Sequence, residues 1–465
     1  MIYIHKQSHT PLYEQIYNHY VKEILSGTLK SGTRLPATRQ LAYELSVGRN
    51  TVDKAYQQLV AEGYLQSKVG SGFIVNEIPL HSIEAAENHT SSVIHKSKDK
   101  SPKYNFIYGS MDNTLFPYNQ WRKSMNRALS EMENLHVLPY PEKTGELKLR
   151  YEISKYLYRS RAVRCTPDQI VITCGQQHSM EIIANMFEHT DKKFTMEDPG
   201  YDGIRQIFIN HEYEMNYIPV EDDGISLDKL KRTNTDLLYV TPSHQFPTGA
   251  VMSIGKRKEL LQWAEDTDTY LIEDDYDSEL RYYTNPIPSL QSLDEFERTI
   301  YTGTFSKSLA PSMRLAYIVF PKPLMRKYSE YYWRYNAQVT TLHQLTLADF
   351  MESGYYDRLI NRLRTNYKKK QDALIEAINT AFGDKVSISG AGAGIHLIIN
   401  VKSHLNQSEL VAKALEHGIK VYSTDVLYMN KTLCPKGEIQ LGFPTVPQEA
   451  FEEIMKTLKS IWITE

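Results

Sequence analysis

Between Gln169 and Phe320 six short apolar runs recur, separated by turn residues or by helical patterns. They are Gln169–Cys174, Lys193–Met196, Leu237–Thr241, Thr269–Glu273, Thr299–Thr302 and Leu315–Phe320, with amphipathic stretches such as Ser179–Phe187 and Gly255–Glu265 between them. Strands that alternate with helices pair in parallel and are buried on both faces, so the pattern predicts an α/β domain with a mainly parallel sheet. After about Pro321 comes a long aromatic and basic helical run, Leu324–Ala337. Further helices and two strand-like segments follow, around Gly390–Ile399 and Glu438–Phe443, and predict a smaller α+β lobe. No internal repeat is found.

In open α/β sheets ligands collect at the carboxyl ends of the strands, and several of these runs end in polar groups. Thr302-Gly-Thr304-Phe-Ser306-Lys307 leaves one run, and Arg314 precedes the next. A lysine held between two strands loses hydration, which favours its neutral amine, and a neutral amine forms a Schiff base with an aldehyde. Thr304, Ser306 and Arg314 are suited to a phosphate, because guanidinium matches phosphate oxygens two at a time. Aldehyde plus phosphate points to pyridoxal 5′-phosphate. Asp274 and Tyr276 end another run and are assigned to its ring nitrogen and phenolic oxygen; a fixed carboxylate keeps a pyridine nitrogen protonated. Asp275 is the alternative for that nitrogen. Gly175-Gln176-Gln177 opens a helix whose free N–H groups can cradle the phosphate. Tyr201, after a turn, is placed to stack on the ring.

The first 77 residues follow another pattern. Pro11 opens a helix bearing Leu12, Ile16, Tyr20, Ile24 and Leu25; Thr38 caps a second with Leu41, Ala42 and Leu45; a third runs from about Asn50 to Glu62. Two short helices joined by a few residues form a helix-turn-helix, and Tyr64 to Val75 read as two strands around a Gly/Ser tip, a β-wing. This segment carries eight Lys/Arg against six Asp/Glu, a net of +2 in a chain of net charge −3, so DNA binding must rest on position rather than bulk charge. Arg34, Arg39, Arg49, Lys54 and Lys68 fall at the loop, the helix starts and the wing, where a winged helix meets phosphates and groove edges. Residues 78–103 lack apolar periodicity and read as a flexible linker, which leaves residues 104–465 as a separate ligand-binding domain.

With 41% hydrophobic and 23% charged residues the composition is that of a globular protein. Three cysteines match no zinc spacing and suggest free thiols in a reducing compartment. Neither a signal-type segment nor a membrane-length apolar run is present, so the expected location is cytoplasmic, with no membrane partner and no metal.

Three stretches of the N-terminal segment carry a family resemblance. Gly32-x-Arg34-Leu-Pro36-x-Thr38-Arg39-x-Leu-Ala42, Arg49-Asn-Thr51-Val-x-x-Ala-Tyr56-x-x-Leu59 and Glu62-Gly-Tyr64-Leu resemble the DNA-binding domain of GntR-type regulators. Arg49 and Thr51, at the start of the third helix, are expected to reach base edges or adjacent phosphates, and Arg34, Arg39 and Lys68 mainly to hold backbone, with Thr38 also at the DNA. From Tyr104 onward, Ser306-Lys307-x-x-x-Pro311-x-x-Arg314 together with Asp274, Tyr276 and Tyr201 resembles the fold-type I aminotransferases. It implies that Tyr140, five residues before Gly145, reaches the phosphate in a neighbouring subunit. A GntR-type winged helix joined to such a domain resembles the MocR/GabR subfamily of bacterial regulators. That likeness implies a pyridoxal-phosphate-dependent, DNA-binding transcriptional regulator, built as a head-to-tail homodimer and retaining at most residual transamination. The competing reading is an aminotransferase with a helical appendage. Two departures bear on the choice. Phe246 stands where these enzymes commonly have an asparagine beside the ring oxygen, and Gln440 stands where an arginine grips a substrate carboxylate. Arg205 is the candidate to replace that arginine for an amino-compound effector; otherwise the cofactor itself is the signal.

Overall fold

The computed structural model describes residues 2, 4–5, 10–68, 72–77, 102–134, 139–187, 191–283 and 287–463. The chain forms two compact units, divided between residues 100 and 101. The linker expected over residues 78–103 lies outside the described residues except for its last two, of which Lys103 pairs with Glu453 at 3.2 Å.

In the first unit, helix α1 (Leu12–Leu25) buries Ile16, Tyr20 and Ile24, the face that their spacing predicts. Helices α2 (Thr38–Glu44) and α3 (Arg49–Ala61) pack Leu41, Ala42, Val52, Ala55, Tyr56 and Leu59 into the same core. The cap of α2 differs from expectation. Ala37 holds the extended cap position, and Thr38 is already helical. Strands β1 (Leu65–Lys68) and β2 (Gly72–Val75) pair antiparallel, Leu65 opposite Val75 and Lys68 opposite Gly72. Arg34 bridges to Ile74 and ties the loop before α2 to this wing.

The second unit is built on an eight-stranded sheet with the order β4-β11-β10-β9-β8-β5-β6-β7. These strands are β4 (Ile170–Thr173), β5 (Lys193–Asp198), β6 (Glu214–Glu221), β7 (Gly224–Ile225), β8 (Leu237–Val240), β9 (Tyr270–Asp275), β10 (Thr299–Thr304) and β11 (Ala316–Val319). Neighbours from β6 to β10 run parallel, and β11 runs antiparallel to both β10 and β4. All six predicted runs are strands. The sequence pattern misses β6 and β7. Strand β6 is half-exposed and carries Pro219, and a proline within a run argues against a strand.

The smaller lobe is an antiparallel sheet of order β12-β13-β16-β15, from β12 (Val386–Ser389), β13 (His396–Val401), β15 (Tyr422–Ser423) and β16 (Glu438–Gly442). The 28-residue helix Tyr355–Phe382 and the helix Phe451–Trp462 supply much of its core. Strand β3 (Tyr104–Asn105) pairs with β14 (Ile419–Lys420), so the first described residues of this unit are held by its last lobe. The helical run expected over Leu324–Ala337 is shorter than predicted: the helix spans Lys322–Tyr331. Tyr332 ends it by stacking on Tyr328 at 5.0 Å and meeting Tyr335 edge-on at 4.9 Å. Among the described residues no helix is long and apolar enough to cross a membrane.

Candidate functional site

The carboxyl ends of β4, β8, β9 and β10 surround a cavity of about 370 Å³, with Lys307 in the turn after β10. Lys307 Nζ lies 4.0 Å from the centroid of the Tyr108 ring. Burial pulls its pKa from 10.5 to about 8, while the charges of Asp277 and Asp274 pull the other way. Gly109, at φ +95°, passes close to the amine, and a Cβ there would stand 2.8 Å from Nζ.

Across the cavity, β9 delivers adjacent acids to opposite faces of the sheet. Asp275 turns away from the cavity and is held by Arg161 Nε and by the Tyr301 hydroxyl, each at 2.6 Å. Asp274 lines the cavity. Its Oδ2 accepts from the Tyr239 hydroxyl at 2.5 Å, and its buried Oδ1 has no partner. Burial raises the Asp274 pKa from 3.8 to about 7. Glu273, the third acid of the run, accepts from the backbone N–H groups of Leu290 and Gln291 at 2.8 and 2.9 Å. Tyr276 also lines the cavity, its hydroxyl 3.2 Å from His244 Nδ1.

The far end is built by two left-handed residues. Gly175 at φ +90° opens the helix Gln176–Met186, and Arg314 at φ +50° swings its guanidinium over that turn. Arg314 Nη2 donates to the Cys174 carbonyl at 3.3 Å, and a Cβ at Gly175 would lie 2.4 Å from Nη2. Gln177, Thr304 and Ser306 line the same end. This arrangement suits an anion, since free helix N–H groups, hydroxyls and a guanidinium converge there. Gln176, the first residue of that helix, also lines the cavity. Its amide donates to Thr302 Oγ1 at 2.7 Å and leaves Oε1 unpartnered. Tyr201 and Phe246 form one wall, their rings edge-to-face at 5.8 Å.

Arg205 and Gln440 stand outside this cavity, and Tyr140 is the residue expected at a partner's site. Arg205 donates to the carbonyls of Val426 at 2.7 Å and Leu427 at 3.5 Å, and it lines a separate surface hollow. Gln440 is buried on β16, between Ile398 and Tyr422 on the flanking strands, and does not line the cavity. Tyr140 is 81% exposed and does not reach the cavity of its own chain. Sequence reasoning missed Tyr108, Gly109, Ser110 and Tyr239 in the wall. Tyr239 hides in an apolar strand that reads as core. Tyr108 to Ser110 follow a two-residue strand too short to give a pattern.

In the first unit Arg34, Arg39, Arg49 and Lys68 are exposed, and Thr38 and Thr51 are half-buried at the starts of α2 and α3. Arg49 lies 3.5 Å from Asp53 one turn on, a pair exposed enough to yield to a phosphate or a base edge.

Known proteins share both units. Residues 12–75 match the family described as bacterial regulatory proteins, gntR family, and residues 107–458 match aminotransferase class I and II. The chain is 39% identical over 456 residues to YdeL, an uncharacterised HTH-type transcriptional regulator of Bacillus subtilis, covering 97% of each chain. It is 31% identical over 477 residues to the probable rhizopine catabolism regulatory protein MocR of Rhizobium meliloti, covering 100% of this chain and 96% of that one. Among solved structures, kynurenine aminotransferase of Pyrococcus horikoshii, in complex with PMP, superposes with a TM-score of 0.68. It is 26% identical, over 77% of this chain and 90% of that one. A gntR-type helix-turn-helix and an aminotransferase domain in one chain, matched end to end by regulators of that build, make this protein a transcriptional regulator of the MocR/GabR subfamily of the GntR family.

Proposed function

We propose that the regulator holds pyridoxal 5′-phosphate in the Lys307 cavity, binds double-stranded DNA through its winged helix, and reports the state of the cavity to the DNA. The observation that carries this reading is the pairing of a desolvated lysine amine with an orphaned carboxylate oxygen, Asp274 Oδ1, on opposite sides of one cavity. With a pKa of about 8, roughly one Lys307 amine in ten is neutral at pH 7 and ready to take up an aldehyde. When bound, pyridoxal phosphate supplies that aldehyde and an electron-accepting ring.

The other residues bind and orient. Asp274 Oδ1 is free to accept a ring N–H, and Tyr276 offers its hydroxyl to the phenolic oxygen. Tyr201 covers one ring face. The N–H groups after Gly175, with Gln177, Thr304, Ser306 and Arg314, take the phosphate. Gln176, at the start of the same helix, belongs to this phosphate end. Tyr140, exposed in its own chain, completes the phosphate end of a partner in a head-to-tail homodimer.

A regulatory rather than a catalytic role for the second unit is supported by the missing carboxylate anchor. Gln440 is neutral, and Arg205 is engaged by backbone carbonyls. Turnover is therefore residual at most, and the favoured signal is pyridoxal phosphate itself. The other effector class is an amino compound without an α-carboxylate. At the DNA, Arg49 and Thr51 meet base edges or adjacent phosphates, Arg34, Arg39 and Lys68 mainly meet the backbone, and Thr38 lies at the same surface.

Borohydride reduction of the cofactor-loaded protein, followed by peptide mapping, tests the reading. The label is expected on Lys307 alone. A label on another lysine, or none, contradicts it.

A further inference from the structure

Phe246 brings no hydrogen-bonding group to the part of the cavity where Tyr276 stands, so Tyr276 must act there without a neighbouring amide. Behind it lies a buried pair. His244 Nδ1 is 2.8 Å from Asp277 Oδ2, and the two side chains are 3% and 1% exposed. Two lone pairs do not face each other at that distance, so Nδ1 carries a proton and donates it to the carboxylate. The same N–H lies 3.2 Å from the Tyr276 oxygen. With its Nδ1 lone pair used, His244 cannot accept from Tyr276. Its one N–H is shared, chiefly with Asp277 and more weakly with the phenol oxygen as a three-centre bond, which leaves the phenol proton to point elsewhere. Among the described residues the Tyr276 hydroxyl makes no other hydrogen bond, and the cavity is what it faces. His244 Nε2, buried and unpartnered, is then a bare lone pair rather than an orphaned N–H.

We propose that His244, its tautomer fixed by Asp277, is a positioning residue that makes Tyr276 an obligate hydrogen-bond donor into the cavity. It thereby supplies the support that Phe246 cannot give. The inference rests on the reading of the cavity as a pyridoxal phosphate site, where the acceptor is the ring oxygen. A phenol that itself receives an N–H is a stronger donor, because hydrogen bonds in a chain polarise one another. Holding the ring oxygen's negative charge loosens that oxygen's grip on the Schiff-base proton, so the nitrogen gives up its proton at lower pH.

The charged and titratable neighbours of Tyr276 are Asp277, Tyr108, Asp274 and Tyr239, with Lys307 lying over Tyr108. His396, 5.8 Å from His244, is held neutral by burial, its pKa near 3, and does not compete as a switch. Gly394 and Gly249 close over the histidine. A Cβ at Gly394 would meet Asp277 Oδ2 at 2.5 Å and the imidazole at 2.7 Å, so the backbone passes close over the pair and a side chain there would displace it.

The test is the visible absorbance of the full-length, cofactor-loaded protein against pH. Tyr276→Phe is expected to raise the midpoint of the band change by about one unit, the scale of one lost hydrogen bond to a charged group. His244→Leu should raise it by about half that or more. His244→Asn should restore the parent value, because its amide N–H stands where Nδ1–H stood and carries no charge. His244→Leu added to Tyr276→Phe should change nothing further. Should His244→Leu not fold, His244→Gln, which lacks a donor at the Nδ1 position, serves in its place with the same expected rise. His244→Leu, or His244→Gln in its place, at the parent midpoint while Tyr276→Phe is shifted overturns the proposal and leaves the cofactor site standing, as does full additivity in the double variant. No visible band in the unmutated protein contradicts the cofactor reading itself.

Discussion

Asp274 and Asp275 are neighbours in one strand with opposite duties, and they should respond oppositely to replacement. Asp275 neutralises Arg161, whose guanidinium is 4% exposed. Asp275→Ala strands that charge in the core and should destabilise the second unit by roughly 3–5 kcal/mol. Asp274→Ala removes a carboxylate that burial already disfavours and should cost little stability while weakening cofactor retention. Urea unfolding of the two cofactor-free variants decides it, and equal losses would remove the distinction. The sequence showed that this run would supply an acid to the site, but not which one. Strand geometry only says that the two face opposite ways, and the arbiter, Arg161, lies 114 positions away.

Lys307 gives a second prediction at this scale. Its folded pKa of about 8 lies below 10.5, so between those values the unfolded chain binds more protons and stability rises with pH. Below pH 8 both states are charged and the burial penalty is present in full. In the cofactor-free protein, Lys307→Met should be the more stable at pH 7, by at most about 3 kcal/mol. Its advantage should shrink as pH rises from 8 towards 10.5. Unfolding midpoints at pH 7 and 9.5 measure this, and a constant gap would mean that the amine carries no desolvation penalty.

At the scale of elements, α3 carries the next prediction. Arg49→Ala removes an exposed side chain that makes a weak pair with Asp53, so the fold should be unaffected. Operator affinity should fall by an amount near 1–3 kcal/mol, the usual worth of a specific arginine contact. The cofactor's absorbance should stay as it was. Fluorescence anisotropy with labelled operator measures the loss, and unchanged affinity would take α3 out of the recognition role. Elements with a clean buried stripe, such as α1 and α3, were legible because burial and period agree. Strand β6 was not, because half-exposure blurs its alternation and Pro219 argues against it. The helix after Pro321 was read too long. Its aromatic pattern continues past Tyr331, but Tyr328, Tyr332 and Tyr335 pack on one another where the chain turns.

On the scale of the whole molecule, order along the chain carried most of the reading. A winged helix followed by an aminotransferase-type motif set needs no tertiary contact to be seen. What stayed hidden was brought together from afar: Tyr108 against Lys307, Tyr239 against Asp274, and His244 against Asp277. In the proposed function, occupancy of the Lys307 cavity sets the affinity for DNA. Coupling of this kind commonly changes affinity by 5–150-fold. The most direct measurement is an operator titration of three samples at one salt concentration: the protein stripped of cofactor, the protein loaded with pyridoxal phosphate, and Lys307→Ala with the same cofactor added. The stripped and loaded forms should differ by about tenfold or more, and Lys307→Ala should follow the stripped form. One affinity for all three samples, with the aldehyde visibly bound at Lys307 in the second, would contradict the account.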